Sequence, residues 1–278
     1  MKIDNQHQRR KIQKHFNGIS QFYYDIVEEY PFTSGYYHRK EFDVVMNIVK
    51  RHKPERILDV GCATGKILKS LKRMLPNSSF YGCDISSKML KIAKDNNYSS
   101  IQADITNLPF KDNSFDFVYT LEVLEHLPNG LIDVEKSIEE LFRVATKKGI
   151  ILLEIPNKAH FAFLWKFFIF LKSRRSQKLK NELPCEAYED ICIKTPLPVD
   201  NAFYAKFILK ILSEYKYNTI NIVGVGFFPS IIYEHISLSM GKLLNSMDIK
   251  LENKMLFKSL AREFLIEIKI GGVEKKSE

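Results

Sequence analysis

The stretch RILDVGCATG at residues 56–65 decides the fold. Ile57, Leu58 and Val60 give its first half the apolar character of a short buried strand, and two glycines follow. Apolar side chains then recur at helical spacing over residues 65–74. A glycine-rich turn between a strand and a helix lets the backbone approach a ligand, and the first turn of the helix offers free N–H groups. The stretch therefore predicts a ligand site at the end of a strand.

Strand-like and helix-like patterns alternate from about residue 56 to residue 271, which indicates a mostly parallel sheet covered by helices. The predicted strands are residues 56–60, 79–83, 99–103, 115–119, 150–154, 220–224 and 264–268. The predicted helices are residues 65–74, 87–96, 131–143 and 202–215. The predicted fold class is α/β, with a doubly wound, mostly parallel sheet of seven strands.

Three segments lie outside this alternation. Residues 1–53 are predicted to form a helical N-terminal cap, and residues 54–278 to form the core domain. The core carries two insertions, residues 157–201 and 228–260. Ligands of open α/β sheets bind outside the carboxyl ends of the strands, so we expect the cap and the first insertion to cover the substrate side.

The composition indicates a globular protein. The chain has 278 residues, of which 45% are hydrophobic and 27% charged. Residues 1–16 are polar and basic and contain no apolar export signal, so a cytoplasmic location is expected. The four cysteines form no C-x-x-C pair, which disfavours structural zinc. A net charge of +9 fits a phosphate-bearing or anionic-membrane partner, and it fits ordinary solubility equally well.

Two common phosphate-binding turns do not match residues 61–67. The Walker pattern needs four residues between its glycines and a hydroxyl after the lysine, whereas the chain has three and then Ile67. Asp84 supplies the acid that the dinucleotide fingerprint G-x-G-x-x-G requires further along the chain, but the spacing of the glycines does not match that fingerprint.

A third pattern fits better. The sequence LDVGCATG at 58–65 resembles the first motif of class I S-adenosylmethionine-dependent methyltransferases, D/E-x-G-x-G-x-G, with Ala63 at the middle glycine. YGCDIS at 81–86 resembles the second-strand motif, whose acid binds both ribose hydroxyls, and QADI at 102–105 resembles the motif that binds adenine. Residues 108–118 are similar to the family's link into strand four.

The resemblance, most specific to methyltransferase type 11 and ubiquinone-pathway O-methyltransferases, implies S-adenosylmethionine as cofactor and an antiparallel last strand. It assigns cofactor contacts to Asp59, Gly61, Cys62, Ala63, Gly65, Asp84, Ile85, Asp104, Ile105 and Leu121.

The residues after strand four suggest the chemistry. LEVLEHLP at 121–128 lacks the Asn/Asp-Pro-Pro-Tyr/Phe motif of enzymes that methylate amide or adenine nitrogens. On a helical turn, Glu122, Glu125 and His126 would share one face and could bind a divalent cation or supply a base. The set resembles that of ubiquinone-pathway and small-RNA 2′-O-methyltransferases, where it holds a metal, and His160 is a further candidate ligand. In many related small-molecule enzymes the histidine works without a metal, so both alternatives stay open.

Residues 161–180 combine an apolar run with adjacent cations. The run is too short to span a bilayer, which takes about 20 apolar residues. It can pack as a lid, lie on an anionic membrane, or contact RNA. The resulting prediction is O-methylation of a small or prenylated, lipid-like acceptor, with peripheral contact to the inner membrane face. The alternatives are an RNA methyltransferase and a catalytically inactive protein that only binds the cofactor.

Overall fold

The computed structural model describes residues 5–20, 34–94, 99–157, 205–225 and 261–271. Seven strands form one sheet of order β3-β2-β1-β4-β5-β7-β6. The strands are β1 Arg56–Val60, β2 Ser79–Asp84, β3 Ser99–Gln102, β4 Phe115–Thr120, β5 Ala145–Pro156, β6 Tyr217–Val225 and β7 Glu263–Ile270. The helices are α1 Asn5–Ile19, α2 Ser34–His52, α3 Lys66–Met74, α4 Ser87–Ala93, α5 Leu131–Val144 and α6 Ala205–Leu212, with a 3-10 turn at Leu124–His126.

The sheet confirms the predicted fold class. Strands β1 to β5 pair in parallel. Strand β7 runs antiparallel to both β5 and β6, as the resemblance implied. All seven predicted strands coincide with strands of the sheet. The described residues contain no helix long and apolar enough to cross a membrane.

Helices cover both faces of the sheet because its central strands are apolar on both sides. Leu58 packs with Val118 and Ile138 on the α5 side, whereas its neighbour Ile57 packs with Phe117 and Leu68 on the α3 side. Successive side chains of a strand point to opposite faces, so a near-continuous apolar strand must be covered twice. Helix α2 adds to the second face through Val45, Ile48 and Val49.

The strand order places a ligand crevice. The chain leaves β1 toward β2 on one side, while β4 lies on the other side of β1. This reversal of strand order opens a crevice outside the carboxyl ends of β1 and β4. Helix α1 docks near it, since Gln13 donates to the carbonyl of Ile85 at 3.2 Å and Asn17 accepts from the Ser86 hydroxyl at 2.8 Å. Apart from Asn157, the predicted insertions 157–201 and 228–260 lie outside the described residues.

Candidate functional site

The glycine-rich turn holds three left-handed residues, with φ of +86° at Gly61, +45° at Ala63 and +76° at Gly65. The turn is fixed to β2, because the N–H groups of Gly61 and Cys62 both donate to the Cys83 carbonyl, at 2.8 and 3.0 Å. A Cβ on Gly61 would lie 2.2 Å from Cγ2 of Val123. Glycine is therefore required at Gly61 for its backbone conformation and for space.

Asp84, at the end of β2, faces this turn. Its Oδ2 accepts from the Ala63 N–H at 2.9 Å, and its Oδ1 accepts from the Ser86 N–H at 2.7 Å. Burial raises the pKa of Asp84, and these two N–H donors oppose that rise. Each carboxylate oxygen keeps a second lone pair, so the side chain can still accept from a vicinal diol.

One pocket joins the ends of β1, β2 and β4 to helix α1. It holds about 760 Å³ of empty space including its open mouth. Among the predicted cofactor residues, those that line it are Gly61, Ala63, Asp84, Ile85, Asp104, Ile105 and Leu121. Asp59, Cys62 and Gly65 are not part of its wall.

Asp59, Cys62 and Gly65 contact the parts of the structure that hold the glycine-rich turn in place, outside the pocket wall. The Tyr119 hydroxyl donates to Asp59 at 2.7 Å. Burial raises the pKa of Asp59 to about 7, and the Tyr119 hydroxyl limits the rise. Cys62 is buried with its sulfur beside Gly82, and Gly65 caps α3. A role in shaping the turn fits all three.

Helix α1 contributes pocket residues that the sequence did not indicate, namely Arg9, Ile12 and Phe16. Arg9 forms ion pairs with Asp104 and, at 3.1 Å, with Asp133. The other oxygen of Asp104 accepts from the N–H and the hydroxyl of Thr106, at 2.9 and 2.8 Å. Asp104 therefore anchors α1 over the pocket, which the motif alone did not suggest.

The helical face predicted for Glu122, Glu125 and His126 does not form. Glu122 has a φ of +52° and precedes the 3-10 turn, so the assumed helical spacing does not apply. Its carboxylate lies 3.6 Å from Nε2 of His38, whereas Glu125 is buried and lies 3.8 Å from Nε2 of His126. Glu122 therefore lies with His38 and Glu41 and not in one group with Glu125 and His126, while the further candidate ligand, His160, lies outside the described residues.

Glu122 and His126 nevertheless line the pocket, while Glu125 does not. The His126 ring packs against Phe16 of α1, with ring centroids 5.3 Å apart. His126 thus lies where the loop after β4 borders the pocket. It contacts Phe16 on one side and Glu125 on the other. An imidazole in this place can take a proton from a bound substrate.

A second acidic cluster lies beside this loop. It comprises Glu41, Glu154 and Glu263, with His38 and Glu122 next to it. Burial raises the pKa values of all three carboxyls, that of Glu263 to about 7. Burial lowers the pKa of His38, but Glu122 and Glu41 outweigh this effect and raise it to about 9. The sequence indicates this cluster only through Glu154, an acid within the otherwise apolar stretch 150–156.

Comparison with known proteins identifies the central part of the chain. The family model of a methyltransferase domain matches residues 58–153, from β1 through the glycine-rich turn to β5. This stretch is a methyltransferase domain. It contains the turn, Asp84, Asp104 and the loop with His126, so most of the pocket wall belongs to the methyltransferase domain.

Two relatives each match less than half of this chain. The demethylmenaquinone methyltransferase of Thermotoga maritima is 35% identical over 42% of this chain and 52% of its own length. The tRNA (carboxymethyluridine(34)-5-O)-methyltransferase of Arabidopsis thaliana is 37% identical over 36% of this chain and 23% of its own length. The chain thus spans about half, or less, of the length of these relatives.

The fold has solved counterparts. A SAM-dependent methyltransferase of Thermotoga maritima, described as a possible histamine N-methyltransferase, superposes with a TM-score of 0.55 at 16% identity. The superposition covers 93% of this chain and 99% of that one. It shows that the methyltransferase domain and its flanking elements share an architecture with that enzyme.

Proposed function

We propose that this chain transfers a methyl group from S-adenosylmethionine to an oxygen of a small or prenylated acceptor. The observation that carries the proposal is the meeting of Asp84, the Gly61 turn and His126 in one pocket. Asp84 suits a ribose diol, and the glycine turn allows close approach to the backbone. The apolar side chains of Ile85, Met89 and Ile105 provide a surface for a flat heterocycle.

The bound cofactor supplies an activated methyl group on a sulfonium, and the protein has two remaining tasks. It must place the acceptor oxygen in line with the methyl group, and it must remove the acceptor's proton. We assign removal of the acceptor's proton to His126, because this imidazole lines the pocket and is oriented by Phe16 and Glu125. We assign acceptor placement to the loop after β4, which includes Glu122 and Leu121.

Asp84→Ala is expected to weaken S-adenosylmethionine binding by more than about 1.5 kcal/mol, because two charge-assisted hydrogen bonds to the ribose are lost. Isothermal calorimetry on the folded variant measures this loss. Asp84→Asn keeps an acceptor for only one of the Ala63 and Ser86 N–H groups, so circular dichroism must first show that each Asp84 variant is folded. Glu135→Ala, on the exposed side of α5, is the matched control. Unchanged affinity in Asp84→Ala would remove Asp84 from the ribose site.

For the acceptor, we propose a lipid-like molecule reached at a membrane surface through residues 161–180, which lie outside the described residues. The relative that is named for a quinone-pathway reaction and the cations that follow the apolar run support this proposal. Each Lys or Arg near anionic lipid adds up to about 1 kcal/mol.

Co-sedimentation with anionic vesicles is therefore expected at low salt, and it should fall at high salt. Replacing Arg174 and Arg175 with Glu should reduce it several-fold, while Lys147→Glu, on the exposed part of β5, should change it little. Protein that stays in the supernatant at low salt would turn the acceptor assignment toward a soluble metabolite.

RNA is the second candidate acceptor, favoured by the net charge of +9 and by the relative named for a tRNA reaction. Methyl transfer from labelled cofactor to RNA, with binding that weakens steeply as salt rises, would favour it over the lipid-like acceptor.

A further inference from the structure

Three buried glutamates from distant parts of the chain meet on the face of the sheet that α2 covers. Glu41 comes from α2, Glu154 from β5 and Glu263 from the start of β7, with exposures of 2%, 1% and 4%. In the β5–β7 register, Glu154 pairs with Leu265 and Pro156 with Glu263. The two strand glutamates are therefore diagonal neighbours on one face, and Glu41 reaches them from the covering helix.

Each carboxylate is oriented by one donor. Nδ1 of His38 lies 3.3 Å from Oε2 of Glu41, and Nε of Arg262 lies 2.9 Å from Oε1 of Glu263. The backbone N–H of Glu122 donates to Oε2 of Glu154. Carboxylates that bind a metal are typically held in this way by a hydrogen bond to one oxygen.

His38 and Arg262 each contact only one oxygen of their glutamate partners, and other oxygens of the cluster remain without a partner in the described part of the chain. Oε1 of Glu41 and Oε2 of Glu263 are buried and have no hydrogen-bond partner among the described residues. Leaving buried carboxylate oxygens without a partner is costly, and three such groups together repel one another. A cation bound among these oxygens would reduce both the desolvation cost and the repulsion.

The spacing of the oxygens fits a metal ion. The three carboxylates each bring one oxygen to within 4.8 Å of the others. Oxygens on opposite sides of a cation that bonds at about 2.1 to 2.4 Å are separated by about 4.2 to 4.8 Å. Oxygen ligands suit Mg²⁺, Ca²⁺ or Mn²⁺.

We propose that Glu41, Glu154 and Glu263 bind one divalent cation, which fastens helix α2 to strands β5 and β7. The site differs from the set Glu122, Glu125 and His126, because it lies behind the loop after β4 and shares none of these side chains. His38 links the two regions, since its Nε2 lies 3.6 Å from the carboxylate of Glu122 in the pocket wall.

The test is a titration of the full chain with Mn²⁺ after chelator treatment and dialysis, without S-adenosylmethionine. Electron paramagnetic resonance of free Mn²⁺ gives the number of sites and the affinity, and a melting curve gives the stability. One saturable site is expected, and Mn²⁺ should raise the melting temperature because it binds only the folded state. Because the cofactor is absent, the result does not depend on the proposed methyl transfer.

Glu41→Gln and Glu263→Gln should each weaken Mn²⁺ binding at least about tenfold, since ligand loss costs no less than the loss of an outer-shell partner. Glutamine keeps the size of the side chain and removes a buried charge, so we expect both variants to fold. If circular dichroism shows that one does not, Glu154→Gln replaces it. Glu267→Gln is the control on the same strand β7, because Glu267 pairs with exposed Arg51 at 2.8 Å outside the cluster.

Two results would overturn the proposal. The first is the absence of saturable Mn²⁺ binding up to about 1 mM, the weakest affinity a structural site would show. The second is binding that His126→Ala abolishes while Glu41→Gln and Glu263→Gln leave it unchanged, since this would place the cation in the loop after β4.

Discussion

Gly61→Ala is expected to destabilise the fold by about 2–4 kcal/mol and to weaken S-adenosylmethionine binding at least about tenfold. Gly61 has a φ of +86°, a conformation that strains alanine, and its added methyl group would lie 2.2 Å from Cγ2 of Val123. The turn must move to relieve this clash, and the turn forms part of the pocket wall. Thermal unfolding and calorimetry measure the two effects.

The chain provides a matched control for this substitution. Gly130 also has a positive φ, +55°, but a Cβ there would meet nothing within 4 Å. Gly130→Ala therefore carries the backbone strain alone and should leave cofactor affinity unchanged. In the Gly61→Ala background, Val123→Ala removes the clashing methyl group and should restore part of the affinity. Equal losses in Gly61→Ala and Gly130→Ala, with no restoration by Val123→Ala, would contradict the steric explanation.

The second large effect is expected for His126→Ala, which should lower kcat by about 100- to 10,000-fold, the usual range for loss of a general base. Affinity for S-adenosylmethionine should change by less than about threefold, because the proposed ribose contacts lie at Asp84. Single-turnover kinetics with labelled cofactor separates the chemical step from binding. The loss should appear in kcat with little change in KM.

His52→Ala serves as the control, since His52 lies at the end of α2 beside Glu267, at 3.8 Å. His126→Gln keeps a polar side chain against Phe16 but cannot act as a base, so it should be as slow as His126→Ala. Turnover at the wild-type rate in both His126 variants would show that the proton leaves by another route.

The sheet and the glycine turn were predictable because their signals are local. Short β-branched or aromatic runs mark each strand, and the interval from Asp59 to Gly65 fixes the turn within a few residues. The docking of α1 was not predictable in this way. Its key contact joins Arg9 to Asp104 and Asp133, and no spacing along the chain relates these residues.

The ligand set after β4 was predicted on a helical turn that the structure does not contain. Spacings of three and four place side chains together only on a helix, and the left-handed conformation of Glu122 breaks that condition. The sequence does not predict the buried cluster, because acids are rarely fully buried. Glu154, an acid between Leu153 and Ile155 in the otherwise apolar stretch 150–156, was the one local indication.

Helix α1 has a consequence for how related proteins can diverge. It supplies Arg9, Ile12 and Phe16 to the pocket, yet it lies outside residues 58–153, which match the family model. The helix that covers the pocket and the strand ends that form its other wall thus lie in separate parts of the chain. Under the proposed methyl transfer, substitutions in this helix would change how tightly the pocket holds the cofactor, and those at Arg9 or Phe16 would also affect Asp104 or His126, which these side chains contact.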